Sequence, residues 1–208
     1  TEIFHSIQGE GTQAGRPCVF IRLTGCHQRC VWCDTEYAFT EGSKRSLEEI
    51  LEEVRSHGCN LVEVTGGEPL LQPNCIPLLD ALLNEGYEVM LETGGALDIA
   101  PVDTRVKRIV DLKCPSSGEA FRNRYENLPL LTPHDEVKFV VGDRGDYEWA
   151  RGLAEHEGLT DRCTVLFSPV FGQMDYSTLA EWILADRLPV RFQVQLHKHI
   201  WEPSARGV

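Results

Sequence analysis

Cys26, Cys30 and Cys33 stand within eight residues of one another, in the spacing C-x3-C-x2-C. Intervals that short bring three thiolates to one place. A structural zinc site closes its tetrahedron with four protein ligands. A cubane iron–sulfur cluster on three cysteines instead keeps one iron free for a ligand that is not protein, and chemistry can happen there. Zinc is the competing reading, with His27 or a distant cysteine as fourth ligand. Zinc knuckles usually come with a second C-x2-C pair, and this sequence has none. Ligation of an iron–sulfur cluster is the better account.

Other polar signals recur just after apolar runs. They are Thr65-Gly66-Gly67-Glu68-Pro69, Glu92-Thr93-Gly94-Gly95, Asp111 to Gly118, Ser168-Pro169 and His197-Lys198-His199. Each has a plain structural explanation. Paired glycines mark tight turns, and a histidine on a terminal strand is more often a core hydrogen-bonder than a catalyst. Glycines also let a ligand approach backbone amides closely. The carboxylate of Glu68, beside two of them, could hold an ammonium group. The basic run from Arg105 to Arg108 reads as a solvated strand edge.

The elements that must position these residues alternate. Strand-like runs cover Val19 to Thr24, Leu61 to Thr65, Tyr87 to Thr93, Val106 to Leu112, Glu136 to Val141, Thr164 to Phe167 and Val190 to Leu196. Helical patterns cover Leu47 to His57, Ile76 to Glu85, Asp146 to Glu157 and Ser177 to Ala185. Ser46 and Glu49 predict a capping box, and Gly58 a left-handed stop. This is an α/β pattern, too short for a complete eight-stranded barrel. It predicts an open, partial β/α barrel of about six parallel strands. Glu2 to Ile7 forms an extra N-terminal strand, and residues 1–208 make a single domain. Every polar signal then falls at the carboxyl ends of strands, the face where such folds bind ligands.

Composition narrows the class. The chain has 208 residues, 42% hydrophobic and 25% charged, with a formal net charge of −12. So acidic a surface repels phosphate backbones, which argues against nucleic acid as a partner. No apolar run approaches a membrane span and no secretory signal is visible. The other cysteines (Cys18, Cys59, Cys75, Cys114 and Cys163) are scattered, and read as buried free thiols in a reducing cytoplasm. The chain opens on Thr1 rather than Met, so a few further residues are expected before it.

The cysteine triplet with Trp32 before its last member, followed by Gly66-Gly67-Glu68-Pro69, resembles the radical S-adenosylmethionine (SAM) enzymes. The segment from Glu2 to Gly11, Cys33-Asp34-Thr35 and Gln195-Leu196-His197-Lys198 are similar to the 7-carboxy-7-deazaguanine synthases, and the similarity runs end to end. The resemblance implies a lyase that converts 6-carboxy-5,6,7,8-tetrahydropterin to 7-carboxy-7-deazaguanine with release of ammonia, in deazapurine and queuosine biosynthesis. It implies a 4Fe–4S cluster on Cys26, Cys30 and Cys33, SAM on its free iron, and magnesium on Thr35. Trp32, Asp34, Gly67, Glu68, Thr93, Lys113 and Ser168 would contact SAM. Ile7, Gln8, Gly9, Glu10, Arg22, Thr65, His197 and the carboxylate of Val208 would line the pterin site. Flavodoxin or ferredoxin as reductant, a homodimer and a cytoplasmic location come with the family. Where other members carry Ser-Pro-Lys, this chain reads Asp111-Leu112-Lys113, which leaves Ser116 or Ser117 to supply the hydroxyl. Two rivals stand beside this reading: an activase that abstracts hydrogen from a glycine of a partner enzyme, and a non-catalytic zinc-binding scaffold.

Overall fold

Along each core strand two kinds of residue alternate, as a sheet with two different faces requires. Val19, Ile21, Val62, Val64, Val89, Leu91, Val137 and Phe139 share one parity and are buried against helices. Phe20, Arg22, Glu63, Thr65, Glu92, Asp111 and Lys138 share the other parity and line a cavity on the inner face. The computed structural model, which describes residues 1–208, arranges these strands as one sheet in chain order. They are β1 (Glu2–Ile7), β2 (Pro17–Leu23), β3 (Leu61–Gly66), β4 (Glu88–Thr93), β5 (Lys107–Leu112), β6 (Glu136–Val141), β7 (Thr164–Pro169) and β8 (Arg191–Phe192).

β1 runs antiparallel to β2, and every later neighbour is parallel. β8 does not pair with β1, so the sheet curls without closing. This is the open β/α barrel that the pattern predicts. The helices are α1 (Leu47–Ser56), α2 (Cys75–Asn84), α3 (Arg144–His156), α4 (Leu159–Arg162), α5 (Tyr176–Asp186) and α6 (His197–Ile200). The capping box of α1 is present on both sides, and Gly58 takes φ +61°. No α-helix lies between β4 and β6; a loop joins β4 to β5, and short 3-10 turns that include Pro115 and Pro129 join β5 to β6.

The open side is filled from below. The loop after β1 turns into the barrel floor: the amide of Thr12 donates to the buried Glu136 carboxylate at 3.2 Å, and Gly11 donates to Gln193 at 2.6 Å. Leu196 donates to the carbonyl of Gly9 at 2.9 Å. A Cβ at Gly9 would strike the His197 ring, so only glycine lets the two segments meet.

Three expectations need correction. The last strand keeps only two residues, and His197 opens the helical turn α6 instead of alternating with His199 on a strand. Arg108 is not a solvated edge residue. It is buried, and its guanidinium clasps Asp135 through Nε at 3.0 Å and Nη2 at 2.5 Å. That carboxylate also accepts from Thr132, so a satisfied ion pair ties β5 to the turn before β6. Of the scattered cysteines all are free, but Cys59 is only half-buried.

Candidate active site

The strand ends and the β1–β2 loop enclose a cavity of about 470 Å³, ample for small-molecule ligands. It gathers nearly every residue that the sequence singles out. Cys26, Cys30, Trp32, Cys33, Asp34 and Thr35 come to it from the loop after β2. Gly67, Thr93 and Lys113 come from the ends of β3, β4 and β5. Ile7, Gln8, Gly9 and Glu10 form its floor, Arg22 and Thr65 its inner wall, and His197 and Val208 its remaining side. Glu68 and Ser168 are buried behind the wall instead.

The cysteine loop rests on the Gly66-Gly67-Glu68 turn. The amide of Glu68 donates to the carbonyl of Gly25 at 2.8 Å, and that of Gly67 to Leu23 at 3.3 Å. A Cβ on Gly67 would lie 2.8 Å from the Cβ of Cys26 and closer still to the Gly25 carbonyl. Gly66 takes φ +156° and would collide with the backbone of Leu23. Both glycines are therefore required for the contact between the two loops. Burial raises the Glu68 pKa, and its carboxylate is taken up by Thr93 Oγ1 at 2.8 Å, the Gly94 amide at 2.7 Å and the Leu70 amide at 3.1 Å. It shapes the turn from behind.

The three thiols are free and half-buried. No group of His, Cys, Asp or Glu side chains converges on a single ion-sized point. A cubane does not ask for that, since each cysteine binds a different iron. His27, the zinc reading's fourth ligand, is absent from the cavity wall. Burial pushes the Cys30 thiol up to about 11, with Lys113 pulling the other way. Burial likewise raises Cys26. Burial works against the charge of Lys113, yet Asp111 at 3.0 Å outweighs it and keeps the ammonium firmly protonated. The alternative hydroxyls are engaged: Ser116 donates to Asp146, and Ser117 donates to the Cys114 carbonyl at 2.6 Å.

The floor is a buried charge network. Lys138 pairs with Glu10 at 2.9 Å, with Asp111 at 3.4 Å and with Glu92. Burial alone would raise the pKa of Glu10, but Lys138 holds it below the usual carboxylate range. Gln195 and Gln193 donate to the same carboxylate at 3.1 and 3.3 Å. Glu63 has no cation of its own. Burial, then the charges of Glu92 and Glu10, raise it well above the ordinary value. Gln8 donates to one of its oxygens; the other has no protein partner. Asp34 is held low by Lys198 at 2.6 Å, against burial. Arg22 gives its Nε to Glu2 at 2.8 Å, which leaves its terminal nitrogens free of protein acceptors. Burial lowers the His197 pKa.

The radical SAM superfamily model matches residues 20–181. A 7-carboxy-7-deazaguanine synthase of Koribacter versatilis is 47% identical over all of this chain and 99% of its own length. One of Chlorobaculum tepidum is 48% identical, covering all of this chain and 96% of its own. The chain belongs to the 7-carboxy-7-deazaguanine synthases, within the radical SAM superfamily. Among solved structures, QueE from Escherichia coli superposes with a TM-score of 0.77 at 25% identity, over 94% of this chain and 92% of that one. SuiB from Streptococcus suis, bound to its precursor peptide, shares the fold at 13% identity with a TM-score of 0.62, over 84% of this chain and 47% of that one.

Membership brings a 4Fe–4S cluster and SAM, and the residues present suit them. Three thiols face one cavity beside a cation, without a fourth cysteine on its wall. Gln28 Nε2 and Asp111 Oδ1 are buried without protein partners, on residues that line the same cavity. A Cβ at Gly94 would collide with Gln28, so the cradle exists only with glycine there. What the sequence reading missed in this synthase is the role of Gln28, Glu63, Glu92 and Lys138. Its signal was available: a charged residue interrupts the apolar run of β3, β4 and β6 at the same parity as Arg22 and Thr65.

Proposed function

We propose that this synthase converts 6-carboxy-5,6,7,8-tetrahydropterin to 7-carboxy-7-deazaguanine with loss of ammonia. One observation carries the reading: the cysteine loop, the glycine turn and the Gln8-Gly9-Glu10 floor line a single cavity. Cys26, Cys30 and Cys33 hold the cluster. Trp32, Asp34, Gly67, Thr93 and Lys113 border SAM, while Glu68 and Ser168 support that wall from behind. When bound, the cluster and SAM supply a 5′-deoxyadenosyl radical that abstracts hydrogen from substrate.

The rest is positioning by the chain. Arg22, its terminal nitrogens unclaimed, presents a bidentate donor to the substrate carboxylate. Thr35 offers a hard hydroxyl oxygen to magnesium, which would neutralise charge at that carboxylate. The backbone of Ile7 to Glu10 and the side chain of Thr65 hold the pterin ring. Glu10 is already bound by Lys138, so it reads the ring as one end of that ion pair. His197, neutral because burial lowers its pKa, offers one donor and one acceptor. Val208 lies at the rim of the same space. The floor loop and Val208 wall the cavity, and residues 203–208 cover a second one beside it, where an activase would need an open groove for a polypeptide.

Anaerobic reconstitution followed by turnover with SAM, magnesium and the carboxylated pterin tests the reading. Deazaguanine and ammonia are expected in equal amounts, with loss of turnover in Cys33→Ala and in Arg22→Ala. SAM binding with no deazaguanine product would overturn the substrate, and a colourless protein holding one zinc would overturn the enzyme.

A further inference from the structure

Glu63 stands on the inner face of β3 among apolar neighbours. The residues paired with it across the sheet are Phe20 on β2 and Met90 on β4. It is only 4% exposed, yet it lines the main cavity. A buried polar group in such a row costs stability unless its atoms find partners.

One of its oxygens has a partner within the chain. The Gln8 side chain bridges Glu63 and the floor loop. The Glu10 amide donates to Gln8 Oε1 at 3.0 Å, which turns Gln8 Nε2 toward Glu63 Oε2. Glu63 Oε2 is therefore an acceptor, and Oε1 has no protein partner. Lys138 is already shared by Glu10, Glu92 and Asp111. Burial and the charges of Glu92 and Glu10 raise the Glu63 pKa, so the carboxyl retains a proton. With Oε2 accepting, that proton sits on Oε1. The floor thus offers an O–H donor beside Glu10, whose ionised carboxylate can only accept.

A pterin carries the matching pattern on one edge. Its 2-amino group and N3–H donate, which suits Glu10, and the 4-oxo oxygen next to them accepts. A carboxylic acid kept neutral in an apolar site is a good donor to such an oxygen. We propose that Glu63 is a specificity residue whose Oε1 hydroxyl donates to the 4-oxo oxygen of the pterin. This rests on the pterin reading of the cavity and adds a second contact to it: Glu10 and Glu63 together select a 2-amino-4-oxo ring. A ring without a good acceptor at that position leaves the Glu63 hydroxyl unpaired and is disfavoured.

The pyrimidine half of the ring is unchanged by the reaction, so product binding reports the contact without turnover. The test measures equilibrium binding of two compounds to the reconstituted, SAM-loaded holoenzyme. They are 7-carboxy-7-deazaguanine and its 4-thioxo counterpart, which keeps N3–H but has a sulfur that accepts poorly. The parent should prefer the oxo compound about tenfold, as expected for one buried hydrogen bond. Glu63→Gln should keep that preference, because its amide still donates. Glu63→Val should bind the two compounds about equally, having lost roughly tenfold on the oxo compound alone. A Glu63→Val that weakens both compounds by the same factor, or neither, would leave Glu63 only its support of Gln8 and overturn the proposal. So would a parent without the preference, or its loss in Glu63→Gln. A wild-type protein that makes no deazaguanine and binds neither compound fails differently: the pterin reading falls, and this inference with it.

Discussion

Lys138 carries more of the barrel floor than any other side chain. It is buried, and Glu10, Glu92 and Asp111 all lean on its charge. Removing one partner of a buried pair leaves charge uncompensated, at a cost of about 3–5 kcal/mol. Lys138→Ala should lose that much in urea unfolding at neutral pH. Its pH dependence has a definite sign. Glu10 and Asp111 are held below their ordinary values, so they stabilise the fold above those values and lose that contribution as pH falls. The deficit of Lys138→Ala should therefore shrink as pH drops through about 4, where the carboxyls become neutral and need no partner. Glu63 has the opposite sign. Its raised pKa means the fold binds a proton that the unfolded chain has released, which costs stability above the ordinary glutamate value. Glu63→Gln should be more stable than its parent at pH 8, with the gain gone below about pH 4. Equal unfolding curves at both pH values would show that the fold does not raise the Glu63 pKa.

At the scale of elements, the contact between the cysteine loop and the β3 turn decides whether the site assembles. A Cβ on Gly67 would press on the Gly25 carbonyl and the Cys26 Cβ, neither of which can move away freely. Gly67→Ala should therefore keep its circular dichroism and lose most of its iron and sulfide after reconstitution; full cluster content would contradict the packing argument. This pairing was legible in the sequence, because cysteines and glycines at those spacings have few other uses. So were the core strands and α1, whose caps and periodicity agree. The end of the chain was not. Val190 to Leu196 has the composition of a strand, yet only Arg191–Phe192 pairs with β7. Beyond it, Gln193 and Gln195 turn to the Glu10 loop, a tertiary demand that overrides local propensity. Arg108 was misjudged for a related reason. Its partner Asp135 is distant in sequence, so nothing local distinguished a buried clasp from a solvated charge.

The whole molecule is a barrel left open between β8 and β1, and two chain segments complete it. The β1–β2 loop plugs the floor, and residues 203–208 fold back over the loop after Cys33. Between that tail and Thr35 to Tyr37 lies a second cavity of about 320 Å³, which shares Arg22, Thr35, His197 and Val208 with the first. The tail is held lightly. Arg206 lies 3.8 Å over the Tyr37 ring and pairs with Glu41 at 2.9 Å, both half-exposed. An exposed ion pair and an exposed cation–π contact together supply about 1 kcal/mol. Arg206→Ala should release the tail by that amount, roughly a fivefold shift in the ratio of closed to open tail. The space beneath the tail is lined by Arg22, Thr35 and His197, on the substrate side, and by Cys33 and Asp34 of the cysteine loop, but not by Trp32, Gly67, Thr93 or Lys113. The KM for the pterin should then rise, by at most about fivefold, while SAM affinity changes less, because of the SAM-bordering residues only Asp34 lines the tail's cavity, and kcat stays near the parent's, because only ground-state holding is lost. Steady-state kinetics with each ligand varied separately would detect this. A change in SAM affinity with no change in the pterin KM would place the tail on the wrong side of the site.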